Sequence, residues 1–340
     1  MTTRAIAHSG EGTVRNDDTF RPFPGLGNPH AQTIAARLRR ARMGSRYERS
    51  RIDTDDGDFL DIDVRELDVK PRAACLLLHG LEGCAESGYM LATAEALAAR
   101  DILPVALNFR SCGGTPNRTL GSYHSGRTDD IRRALAWIDD AYPGLRRLAV
   151  GFSLGGNALL VHLGSTGPAS GIAAAVAVSV PYELARCADA LERGLGRAYG
   201  AYFLRSLVSK LGEKARRFPG RVSERALRAK TVREFDDAFT APVHGFDGAA
   251  DYYERCSASR FVEGVRVPTL LLQSVDDPLV PSTSIPSELI AANPALEPQL
   301  TDRGGHVGYL ARGDGGDAPG WMERRIADYL AVRARELREA

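Results

Sequence analysis

The chain has 340 residues, 44% of them hydrophobic, and a formal net charge of +1. That length holds one large domain or two ordinary ones, and that apolar content suits a folded protein with a sizeable core. The near-neutral charge argues against a general nucleic-acid binder, and no apolar run approaches the roughly 20 residues of a membrane span.

The N-terminal ten residues contain no hydrophobic stretch of the signal-peptide type. The five cysteines, Cys75, Cys84, Cys112, Cys187 and Cys256, are odd in number and form no Cys-x-x-Cys pair. They read as reduced thiols of a cytoplasmic protein, not as a disulfide framework or a zinc site. Residues 1–20 are polar and read as a loose arm. From Pro29 to Met43 the spacing of Ile34, Leu38 and Met43 predicts a helix, with Arg37, Arg39, Arg40 and Arg42 as a solvated face. This arm and helix, residues 1–45, precede the main domain.

Two strands are expected over Tyr47–Asp53 and Phe59–Arg65, joined by the turn Asp55-Asp56-Gly57-Asp58. Leu60, Ile62 and Val64 alternate with Asp61, Asp63 and Arg65, the pattern of a half-exposed antiparallel strand. The aspartates do not follow the spacing of an EF-hand loop, so no calcium site is read there. Ala73–Leu78 is a buried strand running into His79-Gly80. A helix follows over Tyr89–Arg100, then a strand over Leu103–Phe109 and a loop from Arg110 to Asn117 that contains Cys112. Arg127–Tyr142 reads as a helix with Ile131, Leu135 and Ile138 on one face.

Next comes Arg147-Leu-Ala-Val-Gly-Phe-Ser-Leu-Gly-Gly156, a buried strand that enters Gly151-Phe152-Ser153-Leu154-Gly155 and then an apolar helix. Gly-x-Ser-x-Gly between a strand and a helix is the nucleophile elbow of an α/β-hydrolase. Ile172–Val180 is another buried strand. Strands alternating with helices imply a mainly parallel sheet covered on both faces. The fold class expected is therefore α/β: an α/β-hydrolase fold on a mostly parallel, eight-stranded-type sheet. Residues 46–181 form the first part of its core, 182–264 an inserted helical cap and 265–340 the second part. The cap is basic, with twelve Lys or Arg against two Glu between Arg193 and Arg233. Leu195, Tyr199, Tyr202, Phe203, Leu207, Val208 and Leu211 recur in it at near-helical spacing. Such a helix packs on the core with its basic residues solvated, and it also admits peripheral contact with an anionic membrane. The sheet resumes with Val267–Ser274 and Glu297–Thr301, and a helix with Trp321, Ile326, Tyr329 and Leu330 on its core face closes the chain.

A serine hydroxyl attacks a carbonyl only if a base takes its proton and a third group orients that base. In this chain Ser153, then Asp276 or Asp277, then His306 each follow a strand, in the order an α/β-hydrolase uses. Asp277 is the preferred acid and Asp276 its neighbour in the turn. The oxyanion hole is expected from the N–H groups of Leu154 and Leu81, the latter in the His79–Gly83 turn. His79 reads as a structural member of that turn and His124 as a pocket-lining or structural residue. No cluster has metal-ligand spacing, so neither metal nor cofactor is called for.

The chain resembles the YheT-like hydrolases, the group that includes mammalian lipid-hydrolysing α/β-hydrolase-domain proteins. The resemblance rests on Gly27-Asn-Pro-His-Ala-Gln-Thr33, Leu78-His-Gly-Leu-Glu-Gly83, Asn108–Asn117, Tyr123-His-Ser-Gly126 and Gly151–Asn157. It continues through Glu234-Phe-Asp-Asp-Ala-Phe-Thr240, Asp251–Ser257, Asp276-Asp-Pro278 and Gly304-Gly-His-Val-Gly308. It implies a serine carboxylic-ester hydrolase with Ser153, Asp277 and His306 as its charge-relay residues. The mammalian members act on acylglycerols or phospholipids and carry an N-terminal anchor not seen in this sequence, so the likeness is to the soluble bacterial branch. The reaction expected is cleavage of a short-to-medium acyl ester of a small molecule or lipid. An acyltransferase would use the same triad with an alcohol in place of water. A scaffold that only binds is the alternative from another class, and the complete Ser–Asp–His set weighs against it.

Overall fold

A computed structural model describes residues 19–40, 47–314 and 319–339. The expected N-terminal arm lies almost wholly outside the described residues, as do Arg42 and Met43.

An eight-stranded sheet runs in the order β1-β2-β4-β3-β5-β6-β7-β8. Its strands are β1 (Glu48–Asp53), β2 (Phe59–Val64), β3 (Ala73–Leu78), β4 (Ile102–Asn108), β5 (Arg146–Phe152), β6 (Ala174–Val178), β7 (Thr269–Ser274) and β8 (Leu296–Thr301). β1–β2 and β2–β4 are antiparallel, and every pair from β4 to β8 is parallel. The parallel strands β3 to β7 are nearly continuous runs of Ala, Val and Leu because both of their faces are covered. Side chains alternate across the sheet. Leu76, Leu78, Val105 and Leu107 pack with Ile131, Leu135 and Ile138 of α3 (Asp129–Ala141) and Leu159, Leu160 and Leu163 of α4 (Leu154–Thr166). Cys75, Leu77, Val150 and Phe152 pack on the other face with Met90 and Leu97 of α2 (Gly88–Ala98) and with Trp321, Ile326 and Leu330 of the C-terminal helix Trp321–Glu339.

Two local expectations are corrected. β2 is not half-exposed: all six of its residues are buried. Its aspartates are tolerated inside because each is paired. Asp61 accepts from Arg51 at 2.7 and 3.0 Å, and Asp63 from Arg49 at 2.6 and 2.7 Å and from Asn108 at 2.8 Å. In α1 (Pro29–Arg40), Ile34 and Leu38 do not face the core; they are 51% and 66% exposed, whereas Gln32 and Ala36 are buried. The polar Gln32 wins the inward position because Leu310 offers it both a carbonyl and an N–H, at 3.0 and 2.8 Å.

Between β6 and β7 the chain leaves the sheet and forms helices only. They include α5 (Leu184–Leu191), the long α6 (Gly196–Arg217), a π-turn at Asp236–Thr240 and the helix Ala249–Cys256. Leu204 and Leu211 of α6 pack with Ala226, Phe235 and Phe239 as a small core of their own. The basic side chains of α6 are only partly solvated. Lys214 is buried, and its ammonium donates to the carbonyls of Thr119, Leu120 and Gly121 at 2.9, 3.1 and 2.7 Å. Burial pulls its pKa down to about 8, and three carbonyl acceptors replace the lost hydration. One turn further on, Arg217 donates to the Asn117 carbonyl at 2.6 Å. Lys214 and Arg217, three residues apart on α6, thus seat the cap on the loop that follows β4.

Candidate active site

β5 ends in a turn that only glycine-flanked sequence can make. Ser153 has φ 52° and ψ −120°, a conformation that side chains rarely adopt and that the surroundings must enforce. A Cβ on Gly151 would lie 2.4 Å from the Gly155 carbonyl oxygen, and one on Gly155 would lie 2.4 Å from that of Leu78. The turn is further pinned by the Ser153 N–H, which donates to the Val178 carbonyl at 2.8 Å.

The serine oxygen lies 2.8 Å from His306 Nε2. His306 Nδ1 lies 2.8 Å from Asp277 Oδ2 and 3.1 Å from Oδ1. Asp277 is buried, and its Oδ1 accepts the backbone N–H groups of Leu279 and Val280 at 2.9 and 3.1 Å. A carboxylate held this way accepts from Nδ1–H, which leaves Nε2 as the acceptor for the serine proton. Asp276 takes no part in this chain. Its Oδ1 accepts from Ser274 Oγ and from the Gly305 N–H, so it shapes the turn that carries His306.

The Leu154 N–H opens α4 and the Leu81 N–H lies in the turn after β3. Neither has an acceptor among the described residues, and both residues line the cavity that holds Ser153 and His306. Two free amides and a helix N-terminus facing one serine favour negative charge at that point. His79 stays out of the chemistry. It is fully buried; its Nε2 accepts the Phe109 N–H at 3.0 Å and its Nδ1–H donates to the Gly80 carbonyl at 2.7 Å. Burial pushes its pKa down to about 4. His124 lines the same cavity, and burial, with His244 and Arg127 nearby, holds it well below the usual histidine range. Cys112 is buried and its thiol is pushed up to about 12, first by burial, so it is a poor nucleophile.

Two cavities meet at Ser153. One, of about 140 Å³, runs under the cap and is walled by apolar side chains such as Leu184, Leu207, Phe235 and Phe239. The other, of about 530 Å³, opens between α1 and α6 and carries His30, Arg37 and Tyr202. Phe203, Leu279 and His306 line both. Among the described residues there is no cluster of His, Cys, Asp or Glu placed to hold a metal, and no helix is long and apolar enough to cross a membrane.

Several supports of the site were not singled out from the sequence. Thr33 Oγ1 accepts the His306 N–H at 2.9 Å while donating to the Pro29 carbonyl at 2.8 Å. Ser179 Oγ accepts the Val307 N–H at 3.0 Å. Tyr89 Oη accepts the Gly80 N–H at 2.8 Å. Asn157 joins Ser125, Cys256 and Ala258 through three backbone hydrogen bonds of 2.8–2.9 Å. Thr33 and Asn157 lie within matched motifs, so the signal was present, but periodicity alone assigns such polar residues no role.

This architecture agrees with what is found in other proteins. A family model described as the alpha/beta hydrolase fold matches residues 74–312. The chain is 37% identical over 320 residues to YheT of Escherichia coli (strain K12), a candidate esterase by its name, covering 92% of this chain and 93% of that one. It is 31% identical over 302 residues to phospholipase ABHD3 of Bos taurus, covering 86% of this chain and 74% of that one. Among solved structures, the Pyrococcus furiosus esterase Pf2001 superposes with a TM-score of 0.58 at 18% identity, covering 95% of this chain and all of the other, which speaks to the fold. The chain belongs to the α/β-hydrolases and, within them, to the YheT-like group.

Proposed function

We propose that this hydrolase is a serine carboxylic-ester hydrolase acting through Ser153, His306 and Asp277. The observation that carries the reading is the unbroken chain Ser153 Oγ–His306 Nε2, His306 Nδ1–Asp277, set beside two amides without acceptors. Ser153 Oγ attacks the ester carbonyl and its proton passes to His306 Nε2. The oxyanion receives the N–H groups of Leu81 and Leu154. His306 then returns the proton to the departing alcohol, leaving an acyl-serine. Water attacks this ester by the same path, giving a proton to His306, which passes it to Ser153 Oγ as the acyl–oxygen bond breaks and the carboxylic acid leaves. Asp277 keeps Nδ1 protonated and stabilises the imidazolium throughout.

The narrow apolar cavity suits a short-to-medium acyl chain. The wider one takes the alcohol, with Arg37 and His30 placed to meet a polar or anionic head group. A lipid ester fits this division. No metal or cofactor enters the mechanism. The reduced cysteines suit a cytoplasmic setting, and the exposed arginines of the cap, such as Arg193 and Arg197, are available to an anionic membrane surface.

The test is a series of p-nitrophenyl esters from acetate to palmitate, run beside Ser153→Ala and an alkyl fluorophosphonate. We expect turnover over one band of chain lengths and covalent labelling, both lost in Ser153→Ala. Labelling that survives the substitution would place the nucleophile elsewhere. Products that carry the acyl group on an added alcohol, in excess of free acid, would make the enzyme an acyltransferase.

A further inference from the structure

The turn that carries the Leu81 N–H holds a charged residue with no place in the mechanism above. Glu82 has φ 55°, a left-handed conformation that a non-glycine residue keeps only when its surroundings hold it. The holding contacts come from two different parts of the molecule. From the core, Tyr123 Oη accepts the Glu82 N–H at 2.9 Å and donates to Oε1 at 2.7 Å. From the cap, Lys210 Nζ lies 3.0 Å from Oε2, and Ser206 Oγ donates to the same oxygen. Ser206 and Lys210 are one turn apart on α6, so both project from one face of it. The Glu82 side chain is 1% exposed.

A buried ion pair is weak evidence for stability, because desolvating both charges offsets most of their attraction. It does impose geometry: the Glu82 side chain is buried and Lys210 is 30% exposed, so removing Lys210 leaves a buried carboxylate short of a partner. Lys210 also donates a hydrogen bond to the Cys112 sulfur at 3.2 Å. Burial alone would lower the Lys210 pKa, yet Cys112 and Glu82 hold it above the ordinary value. The ammonium is therefore a fixed charge at this position.

We propose that Glu82 is a positioning residue that sets the direction of the Leu81 N–H and ties it to α6, so that the oxyanion hole is complete only when the cap helix is seated. The inference rests on the ester-hydrolase reading, and it adds a coupling between cap and oxyanion site that the Ser–His–Asp geometry does not contain. A cap displaced from Glu82 relaxes the turn, and the enzyme then binds its substrate without stabilising the oxyanion.

The experiment uses the full chain with Glu82→Ala, Glu82→Gln, Lys210→Met and, on the exposed side of the same helix, Arg216→Ala. For each, kcat and KM on p-nitrophenyl butyrate are measured, normalised to the folded fraction from circular dichroism. The Ki of an alkyl trifluoromethyl ketone is also measured, because its serine adduct is an oxyanion. Losing one oxyanion donor costs about 10²–10³ in turnover, and misdirecting it costs less. We expect Glu82→Ala to lower kcat about 10- to 100-fold with KM changed less than about threefold, and to raise Ki by the same factor as the loss in kcat. Lys210→Met moves both in the same direction. Glu82→Gln, which keeps the Tyr123 bond, falls between Glu82→Ala and the unaltered protein. Arg216→Ala changes neither. A packing role alone would lower thermal stability and leave the normalised kcat and Ki in place, and a Ki within twofold of the unaltered protein overturns the proposal. Should Glu82→Ala not fold, Lys210→Met decides on the same criterion. An unaltered protein that fails to react with fluorophosphonate overturns the hydrolase reading and the clamp together. One that reacts, with Glu82 variants of unchanged kcat, overturns the clamp alone.

Discussion

Replacing Asp277 by Asn tests the acid of the triad with a change of one atom. The structure dictates how the new amide will sit. Oδ1 accepts two backbone N–H groups, from Leu279 and Val280, at 2.9 and 3.1 Å. The amide oxygen must occupy that site, because an NH₂ there would face two donors. The NH₂ then stands where Oδ2 was, 2.8 Å from His306 Nδ1. Two donors cannot share that distance, so the imidazole moves its proton to Nε2 and presents N–H to Ser153. The serine loses its base, and the fold gives up only the long Gln273 Nε2 bond to Oδ2 at 3.4 Å. In a serine protease the same change lowers kcat about 10⁴-fold, which is about 5 kcal/mol of transition-state stabilisation. We expect a loss of 10³- to 10⁴-fold on p-nitrophenyl butyrate at pH 7, with a melting temperature within a few degrees of the unaltered protein. Asp276→Asn keeps an acceptor for Ser274 and Gly305 and should lose less than about threefold. A folded Asp277→Asn protein within tenfold of full activity refutes the assignment, and a pattern in which Asp276→Asn is the damaging change transfers the role to that residue.

Thr33→Val removes the acceptor of the His306 N–H and leaves a part-buried donor unpaired, a cost of about 1–3 kcal/mol. A fall in kcat/KM of at least about tenfold is expected, read by steady-state kinetics. Gly155→Ala forces a Cβ to 2.4 Å from the Leu78 carbonyl oxygen and 2.6 Å from that of His79. Both are rigid backbone, so we expect no soluble folded protein, checked by expression and circular dichroism. His79 stays neutral in the fold down to about pH 4, whereas in the unfolded chain it takes a proton near its ordinary 6.5. Between these values the unfolded state binds the extra proton, so stability falls as pH drops from about 6.5 to 4, by ~3 kcal/mol from this residue. His244, also depressed to about 4 by burial, acts in the same direction. A urea midpoint that is flat across that window contradicts this.

Much of the sheet was readable because burial on both faces leaves a simple trace. Ala73–Leu78 and Ala174–Val178 are wholly apolar, the trace of a strand buried on both faces. The Ser153 turn was readable for a different reason: steric exclusion writes glycine at fixed offsets. Reading failed where a polar residue is buried with a partner on another element. Asp61 and Asp63 looked like a solvent face because alternation cannot report that Arg51, Arg49 and Asn108 would come to meet them. The spacing of Ile34 and Leu38 gave the helix but not its inward face, because nothing local says that Gln32 would be bonded to Leu310. Lys210 and Lys214 looked solvated for the same reason. Their acceptors are Glu82 and the carbonyls of residues 119–121, which only the tertiary fold brings under α6. The lining of the two cavities was likewise out of reach, since it is assembled from α1, α6 and loops that share no local pattern.

The bond from Thr33 to the His306 N–H spans 273 residues of chain, and this bears on when the protein acquires its chemistry. Helix α1 leaves the ribosome long before the loop that docks on it. At roughly 5–20 residues per second, the interval between the two is on the order of 15–55 s. In the later part of that time, the 153 residues between Ser153 and His306, the elbow serine can be formed and folded yet have no base beside it. A nascent chain that has not yet made His306 is thus chemically silent toward the esters around it, and activity switches on once that residue is in place rather than growing with chain length. Ribosome-bound chains arrested shortly before and shortly after residue 306 emerges would differ in fluorophosphonate labelling while carrying the same serine.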